Sequence, residues 1–378
     1  MKILQILPAL GSGGVERGTI EIARALAAAG IPNAVASAGG PRVAELDAIG
    51  VPHFTLPLGS KNPFTVWRNA ARLAALARRE GFTILHVRSR APAWSAYWAA
   101  RRTGSVLLAT YHGVHGTSPA WLKIPYNRVM MKGAKVIAVS NFVKRHLMEV
   151  YGVPEEKIVR IYRGADTQTF RPDAVPPERA LDMRRKFGFS PDMPVVTLPG
   201  RLTRLKGQAI LLESLRMLKH PSPVGCLFVG SDQGRTAYSA ELRAIASSMP
   251  ANRPVVFLDH TDDMPTIYAV SDIVVSATVG HPEAFGRTIP EAQAMGVLTL
   301  GTAHGGACET IDDGVTGFLV PPGDVDALAA KLDEVLDLPA ERKAAIRAAA
   351  LESVRTNFST ERMCAETIAL YRSLDAGV

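Results

Sequence analysis

The sequence predicts an α/β protein made of two doubly wound, Rossmann-like parallel-sheet domains facing across a cleft. Three observations carry that expectation. Short apolar runs alternate with segments of helical periodicity, as parallel strands covered on both faces require. Two of those runs end in glycine-rich turns, Gly11-Ser12-Gly13-Gly14 and Gly200-Arg201-Leu202-Thr203-Arg204-Leu205-Lys206-Gly207. Between the two series lies a stretch punctuated by Pro172, Pro176, Pro177, Pro191 and Pro194, the natural place for an interdomain connection.

In order, strands are expected over residues 2–7, 33–37, 83–87, 106–110 and 135–139, with helices over 15–29 and 67–79. Gly30 is placed to end the first helix. A short basic helix over 178–187 sits inside the proline-rich stretch. The second series places strands over 195–198, 225–229, 255–258, 273–276, 297–300 and 317–320. Its helices cover 207–218, 240–247, 291–295 and 325–336, and amphipathic helical sequence runs from 340 to 374. The expected domains are therefore 1–167 and 168–356, with the terminal helix of about 357–378 packing back on the first. A length of 378 residues suffices for two cores of ordinary size.

Composition narrows the class. Apolar content of 47% against 21% charged residues describes a globular chain rather than a disordered one. No apolar run reaches the ~18–20 residues needed to span a bilayer. The N-terminal run reads as a strand, not a signal-peptide core, and Cys226, Cys308 and Cys364 have no metal-ligand spacing. A cytoplasmic protein with reduced thiols is expected. The net charge of +8 is unevenly held: residues 1–170 carry 22 Lys and Arg against 9 Asp and Glu, and the remainder 21 against 26. That asymmetry points to an anionic partner on the first half. Nucleic acid is disfavoured because no reading module is recognisable there. Residues 61–79 and 121–132 interleave aromatics with cations, through Phe64, Trp67, Arg68, Trp121 and Lys123 among others. Each fits either a core-packing helix with a solvated basic face or a segment dipping into lipid headgroups. With the basic half around them, they give an anionic membrane surface, on the inner face of the cytoplasmic membrane, as an expected contact.

The chemistry concentrates at expected strand ends, which face the ligand crevice in open α/β sheets. Glu283 and Glu291 stand eight positions apart around Phe285-Gly286, where a loop becomes a helix. Both suit hydroxyl acceptance, and the junction's free amides suit phosphate or sugar oxygens. Arg201 and Lys206 suit a diphosphate, the guanidinium as a fork and the ammonium as a point charge. Gly13 and Gly14 permit close approach of a ligand to the backbone, although the third glycine of a dinucleotide fingerprint is absent. Thr110-Tyr111-His112-Gly113 brings His112 to the end of a first-half strand, with His115 beyond it, and Arg88 and Arg90 are candidates for an anionic acceptor. Glu309 is a further carboxylate or simply a helix N-terminal charge. Asp324-Val325-Asp326 opens a helix and reads as a cap, not a metal site.

Together these motifs resemble the retaining glycosyltransferases of family 4, which have the GT-B fold, nearly end to end. The E-x7-E element is Glu283 to Glu291, G-R-x-x-x-x-K-G is Gly200–Gly207, T-x-H-G is Thr110–Gly113, and the late D-G-x-T-G-x-L-V segment is Asp313–Val320. Two departures are Ala284 for a frequent glycine and Arg163 for the asparagine of an N-G-V-D linker motif. The wording around Glu283 is most similar to members that build lipopolysaccharide and other envelope glycans. The resemblance implies a metal-independent, cofactor-free, hexosyltransferase-type enzyme. Its donor would be a nucleotide-diphosphate sugar, with uridine ahead of guanosine, and its acceptor a glycan or glycolipid hydroxyl. By the same resemblance Glu291 would bind ribose, Glu283 the donor sugar, and Arg201 and Lys206 the diphosphate. The amides of Phe285 and Gly286, with neighbouring Arg287, would complete the donor site. Gly13 and Gly14 would let the first domain close over the phosphates, and His112 would lie near the anomeric carbon. Glu283, His112, Arg201 and Lys206 are thus the expected catalytic set. A glycoside hydrolase using the two glutamates leaves Arg201 and Lys206 without purpose. A sugar-nucleotide epimerase of the same fold, or a non-catalytic peripheral membrane protein that keeps it, are the alternatives. Turnover of a sugar nucleotide without acceptor would mark the first of these.

Overall fold

The computed structural model describes residues 1–11, 13–114 and 120–377, apart from the side chains of Ala120 and Leu122. The expected α/β class is what it contains: two compact units, each built on a wholly parallel sheet. Unit 1 comprises Met1–Arg163 and Thr360–Val378, and unit 2 is Gly164–Ser359.

Unit 1 runs β1 (Ile3–Ile6), α1 (Gly14–Ala28), β2 (Asn33–Ser37), α2 (Val43–Asp47), β3 (His53–Thr55), α3 (Pro63–Glu80), β4 (Ile84–Val87), α4 (Arg90–Thr103), β5 (Val106–Tyr111), α5 (Ala120–Asn127), β6 (Lys135–Ala138), α6 (Asn141–Tyr151) and β7 (Ile158–Arg160). Its seven strands order as β3-β2-β1-β4-β5-β6-β7. The chain reverses direction of travel across the sheet between β1 and β4, which pair in register Ile3 to Ile84. That is the topological switch point, outside whose carboxyl ends ligands bind in this architecture. The central strands are buried throughout, so they read as apolar runs. β3 and β7 are three-residue edge strands with half-exposed positions, too short to register as a pattern.

Unit 2 runs α7 (Pro177–Lys186), β8 (Val195–Pro199), α8 (Gln208–Arg216), β9 (Gly225–Val229), α9 (Thr236–Ser247), β10 (Val255–Leu258), α10 (Met264–Ala269), β11 (Ile273–Ser276), α11 (Thr288–Ala294), β12 (Leu298–Thr302), α12 (Ala307–Thr310), β13 (Phe318–Val320), α13 (Val325–Asp337) and α14 (Ala340–Asn357). The order β10-β9-β8-β11-β12-β13 puts its switch point between β8 and β11. Its core gathers Val196, Leu198, Phe228, Val275 and Leu300 from the sheet with Leu211, Leu215 and Leu332 from the helices.

The helical sequence after residue 340 is not continuous. Phe358 leaves helical geometry at φ −128° and ψ 28°, and Ser359 bridges to Ala165, whose N–H donates to Phe358 O at 2.8 Å. A new helix, α15 (Thr360–Asp375), then packs on unit 1, adding Met363, Leu370 and Tyr371 to a core with Ile3, Ile22, Ile84 and Leu108.

Candidate functional site

In unit 2 the loop after β8 rests on the end of β11. At Gly207, with φ +73°, a Cβ would stand 1.9 Å from Ala277 O, so only glycine lets the loop lie this close. The approach carries Lys206 to Glu283, and Lys206 Nζ donates to Glu283 Oε1 across the switch point. The two side chains keep 25% and 23% of their surface exposed, so the pair is reachable by a ligand. The Thr278 hydroxyl also points at Glu283 Oε1, at 3.4 Å. His304 Nε2 lies 2.8 Å from Thr278 O; a carbonyl only accepts, so the ring proton is on Nε2. Beside them the backbone of Glu283–Phe285 is covered by Gly305-Gly306. A Cβ on Gly306 would meet Phe285 Cα at 2.4 Å, and Gly306 N–H donates to Glu283 O at 2.8 Å. The Phe285 ring is buried, 5.8 Å from that of Phe358, so this residue offers backbone rather than side chain. The resulting pocket holds about 240 Å³ of free space, lined by Thr278, Glu283, Gly286 and His304 among others.

Glu291 lies on α11 and is buried. Tyr268 donates to its Oε2 at 3.2 Å, and Arg287, one helical turn earlier, holds its Oε1 at 3.3 Å from Nε. Arg201 is exposed, its nearest described partner being Gln233 Oε1 at 3.5 Å. Arg204 turns outward to Glu241. Asp324 caps α13, accepting from the Ala327 N–H at 2.9 Å. Glu309 sits on α12 outside the Glu283 pocket lining.

In unit 1, Gly13 is the N-cap of α1 and Gly14 its first residue. The glycines make room for charge: a Cβ on Gly18 would stand 2.9 Å from Arg163 Nη2 and 3.2 Å from Arg88 Nη2. Arg88, immediately after β4, is 4% exposed; its Nη1 donates to Gln5 Oε1 at 3.1 Å, while its buried Nε has no hydrogen-bond partner among the described residues. Burial lowers its pKa, opposed by Tyr371 and Cys364 on α15 and by Glu21 and Glu16 on α1. An arginine so placed stays cationic.

Arg163 donates to Gly14 O and lies with Nη1 3.3 Å from His112 Nδ1. A guanidinium cannot accept, so Nδ1 accepts and the His112 proton is fixed on Nε2. Beneath them His86 is fully buried and bridges Tyr371 OH, at 2.5 Å from Nδ1, to Thr110 Oγ1, at 2.7 Å from Nε2. Burial holds its pKa well below the ordinary value, reinforced by Arg88. Arg88, Thr110, His112 and Arg163 line one pocket of about 290 Å³ of free space. Arg90 is not among its lining; it donates to Asn127 Oδ1 at 3.1 Å, in a chain leading to Tyr151 and Tyr111. His115 lies outside the described residues.

The basic aromatic segments form a surface feature of unit 1. Phe64 and Trp67 are 64% and 58% exposed and stack at 6.3 Å, with Arg68 over the Phe64 ring. On α4, which packs against α3, Trp94 stacks on the exposed Trp98, and Lys132 lies over the Trp94 and Tyr97 rings. Trp121 on α5 is 78% exposed.

The geometry thus joins Lys206 to Glu283, Arg287 to Glu291 and Arg163 to His112, and Arg88 lines the same pocket as the last two. Sequence reasoning did not single out Arg163, Thr278, His304, Tyr268, His86 or Tyr371 as site residues. Arg163 carried a signal, its departure from the linker motif; the others meet their partners only through the fold.

Comparison with known proteins bears on the family and the fold. The family model described as Glycosyltransferase Family 4 matches residues 12–169, and that for Glycosyl transferases group 1 matches residues 181–352. A glycosyltransferase of Rickettsia africae superposes with a TM-score of 0.91 at 40% identity, over 98% of each chain. Anabaena HepE in complex with UDP superposes at 0.86 over 99% of this chain and all of that one, and at 23% identity shows the fold alone. The GDP-mannose-dependent alpha-(1-6)-phosphatidylinositol monomannoside mannosyltransferase of Mycolicibacterium smegmatis is 30% identical over 252 residues, 64% of this chain. That match spans 63% of the relative's own length.

Proposed function

Because the chain belongs to glycosyltransferase family 4, we propose that it moves a sugar from a nucleotide-diphosphate sugar to an acceptor hydroxyl with retention of configuration. The observation that carries this reading is the Lys206–Glu283 pair at the switch point of unit 2. A cation for phosphate and a carboxylate for hydroxyls sit side by side there, which is what the junction of a sugar and a diphosphate presents.

In this reading Lys206 and Arg201 take the diphosphate, Glu283 the sugar hydroxyls and Glu291 the ribose. The backbone at Phe285 and Gly286 lines the sugar's place, and Arg287 holds Glu291 ready. As the anomeric C–O bond breaks, its electron pair goes to the leaving phosphate oxygen. Charge grows where Lys206 and Arg201 stand, so they stabilise the transition state more than the ground state. The acceptor oxygen bonds to the anomeric carbon on the same face, and its proton passes to the departing phosphate. These side chains supply the counter-charge for the diphosphate without a metal ion.

The acceptor belongs to unit 1, with His112 and Arg88 on its side. A lipid-linked envelope glycan is the proposed class, in keeping with the lipid acceptor named for the mycobacterial relative. The exposed Phe64, Trp67 and Trp98 beside Arg68 and Lys132 would rest on an anionic membrane surface, where such an acceptor resides. Among the described residues no helix is long and apolar enough to cross a membrane.

A thermal-shift panel of UDP, GDP, ADP and their sugars, run with chelator present, tests the donor assignment. A rise in Tm with one nucleotide base, lost in Lys206→Ala, is expected. No shift with any of them would overturn it, and an inverted anomeric centre in the product would remove the retaining mechanism.

A further inference from the structure

Three buried side chains of unit 1 form a line that ends at the pocket beside His112. Tyr371 of α15 meets His86 of β4, its OH 2.5 Å from Nδ1, and His86 Nε2 lies 2.7 Å from the hydroxyl of Thr110 on β5. Tyr371 and His86 are fully covered, and Thr110 is 4% exposed. Among the described residues the phenol and the imidazole make no other hydrogen bond, and neither does the Thr110 hydroxyl. Their protons can therefore be counted. A phenol, a neutral imidazole and an alcohol bring one proton each, and the line has only two hydrogen bonds to use them. One O–H is left over, at one end or the other. Burial and Arg88 hold the His86 ring in its neutral form, so no further proton enters the line.

The two ends differ. The Tyr371 side chain is packed in a core with Ile3, Ile22, Ile84 and Leu108, where a spare O–H would be buried among hydrocarbon. The Thr110 end lines the pocket of about 290 Å³, where an entering oxygen can accept. Tyr371 thus donates to Nδ1, and His86 donates from Nε2 to the Thr110 oxygen. Thr110 keeps its own proton for the pocket. His112, two residues further along the chain, lines the same pocket, as the period of a strand requires. Ile22, Ile137, Ile161 and Met363 give it an apolar wall suited to the C–H face of a sugar ring.

We propose that the Thr110 hydroxyl binds an uncharged oxygen of the acceptor sugar, and that His86 and Tyr371 are positioning residues that turn its proton toward that oxygen. The inference rests on the transferase reading for calling the ligand an acceptor; the line itself is built wholly within unit 1. A neutral O–H is matched by a hydroxyl or ring oxygen. Through Tyr371 the last helix of the chain takes part in the site without touching substrate.

Long-range nitrogen-to-proton NMR of the full-length protein, labelled in its histidine rings, reads the His86 tautomer; loss of the signal in His86→Gln assigns it. Titration with methyl α-D-mannopyranoside and methyl α-D-glucopyranoside, with and without UDP or GDP, reads the pocket. The ring is expected to carry its proton on Nε2, and its signals should move with at least one glycoside. Thr110→Val keeps the side-chain shape and should weaken that glycoside roughly tenfold, the scale of one lost buried hydrogen bond. Thr110→Ser should recover most of the loss. Tyr371→Phe removes the donor to Nδ1, so both tautomers should appear and affinity should fall severalfold. An unfolding transition as sharp as that of the wild type shows that each variant is folded. A wild-type proton on Nδ1, or indifference to both glycosides, overturns the proposal. Unchanged glycoside affinity in Thr110→Val equally overturns it, giving the hydroxyl to a structural water. An unmoved tautomer in Tyr371→Phe overturns the positioning role of Tyr371. Should no nucleotide bind, a glycoside that depends on Thr110 still supports the subsite while the transferase reading fails.

Discussion

The two switch points of this molecule are built by the same rules and differ in how they keep charge. In unit 2, between β8 and β11, cation and carboxylate are delivered to each other: Lys206 meets Glu283, and Arg287 meets Glu291. In unit 1, between β1 and β4, Arg88 leans on the amide of Gln5, and Arg163 reaches Gly14 O and the neutral ring of His112. A self-neutralised pair is cheap to hold in the empty state and must be shared or parted when a ligand arrives. Arg88, by contrast, is buried beside a neutral amide, and the field of Glu21 and Glu16 on α1 offsets part of the cost of holding it there. The first arrangement suits a ligand carrying both hydroxyls and phosphate; the second fixes an arginine within the fold.

The largest expected effect is on the paired side. Lys206→Ala should lower the rate of sugar transfer by roughly 10²–10³, about 3–4 kcal/mol, if the ammonium stabilises the leaving phosphate. The sharper comparison is with Glu283→Gln. It should also abolish transfer, yet leave nucleoside diphosphate affinity unchanged or improved, because Lys206 is freed from its carboxylate. Calorimetry decides: affinity falling alike in both variants would show that the pair does not divide its work between phosphate and sugar.

A smaller effect, on stability, probes the unit 1 side. Burial and Arg88 depress the His86 pKa below its ordinary 6.5, so the folded state holds the ring neutral where the unfolded chain takes up a proton. Stability from this group is present above the unfolded value and is lost as pH falls through and below it, by up to about 1.4 kcal/mol per pH unit. His86→Gln should lower stability by roughly 1–3 kcal/mol at pH 8, since Tyr371 and Thr110 lose a fitted partner. It should also flatten the decline below pH 6.5. Denaturant melts across pH 5–8 would show an unaltered slope if some other group were responsible.

Smallest is the surface effect. Trp67→Ser should leave stability within about 0.5 kcal/mol, as for other exposed positions. It should nonetheless weaken sedimentation with vesicles of anionic lipid several-fold. Equal binding to neutral and anionic vesicles would dissociate the aromatic patch from the positive charge of unit 1.

Much of this arrangement is legible in the chain. The central strands announce themselves because both faces are covered, which leaves no polar position within 195–199 except Thr197. The glycine turns are legible because close backbone approach at Gly207 and Gly306 tolerates no side chain. The paired glutamates are legible through their spacing around a loop-to-helix junction. What stays hidden is partnership across the fold. His86 and Tyr371 are 285 positions apart and Arg163 and Gly14 are 149 apart. No local period encodes such meetings; strand order does. α4 gives a weak signal for a different reason: it carries Pro92 in its first turn and buries mostly alanine, so its apolar stripe is faint. Helical sequence from 340 to 374 is legible, but the backbone pairing of Ser359 with Ala165 that interrupts it is a tertiary contact with no signal at Ser359 itself.

That pairing marks where the chain returns to unit 1, and it sets an order of assembly. Met363, Leu370 and Tyr371 of α15 cover Ile3, Ile22 and Ile84, and Tyr371 supplies the partner for His86. On a ribosome adding roughly 5–20 residues per second, unit 2 takes roughly 10–40 s to emerge after Arg163. Through that interval the first sheet stands with an apolar face bare and a histidine unanswered. Unit 2, encoded without interruption, has every residue it needs before unit 1 does. The half synthesised first is therefore the half completed last, and the nascent chain spends its most aggregation-prone period waiting for its own final helix.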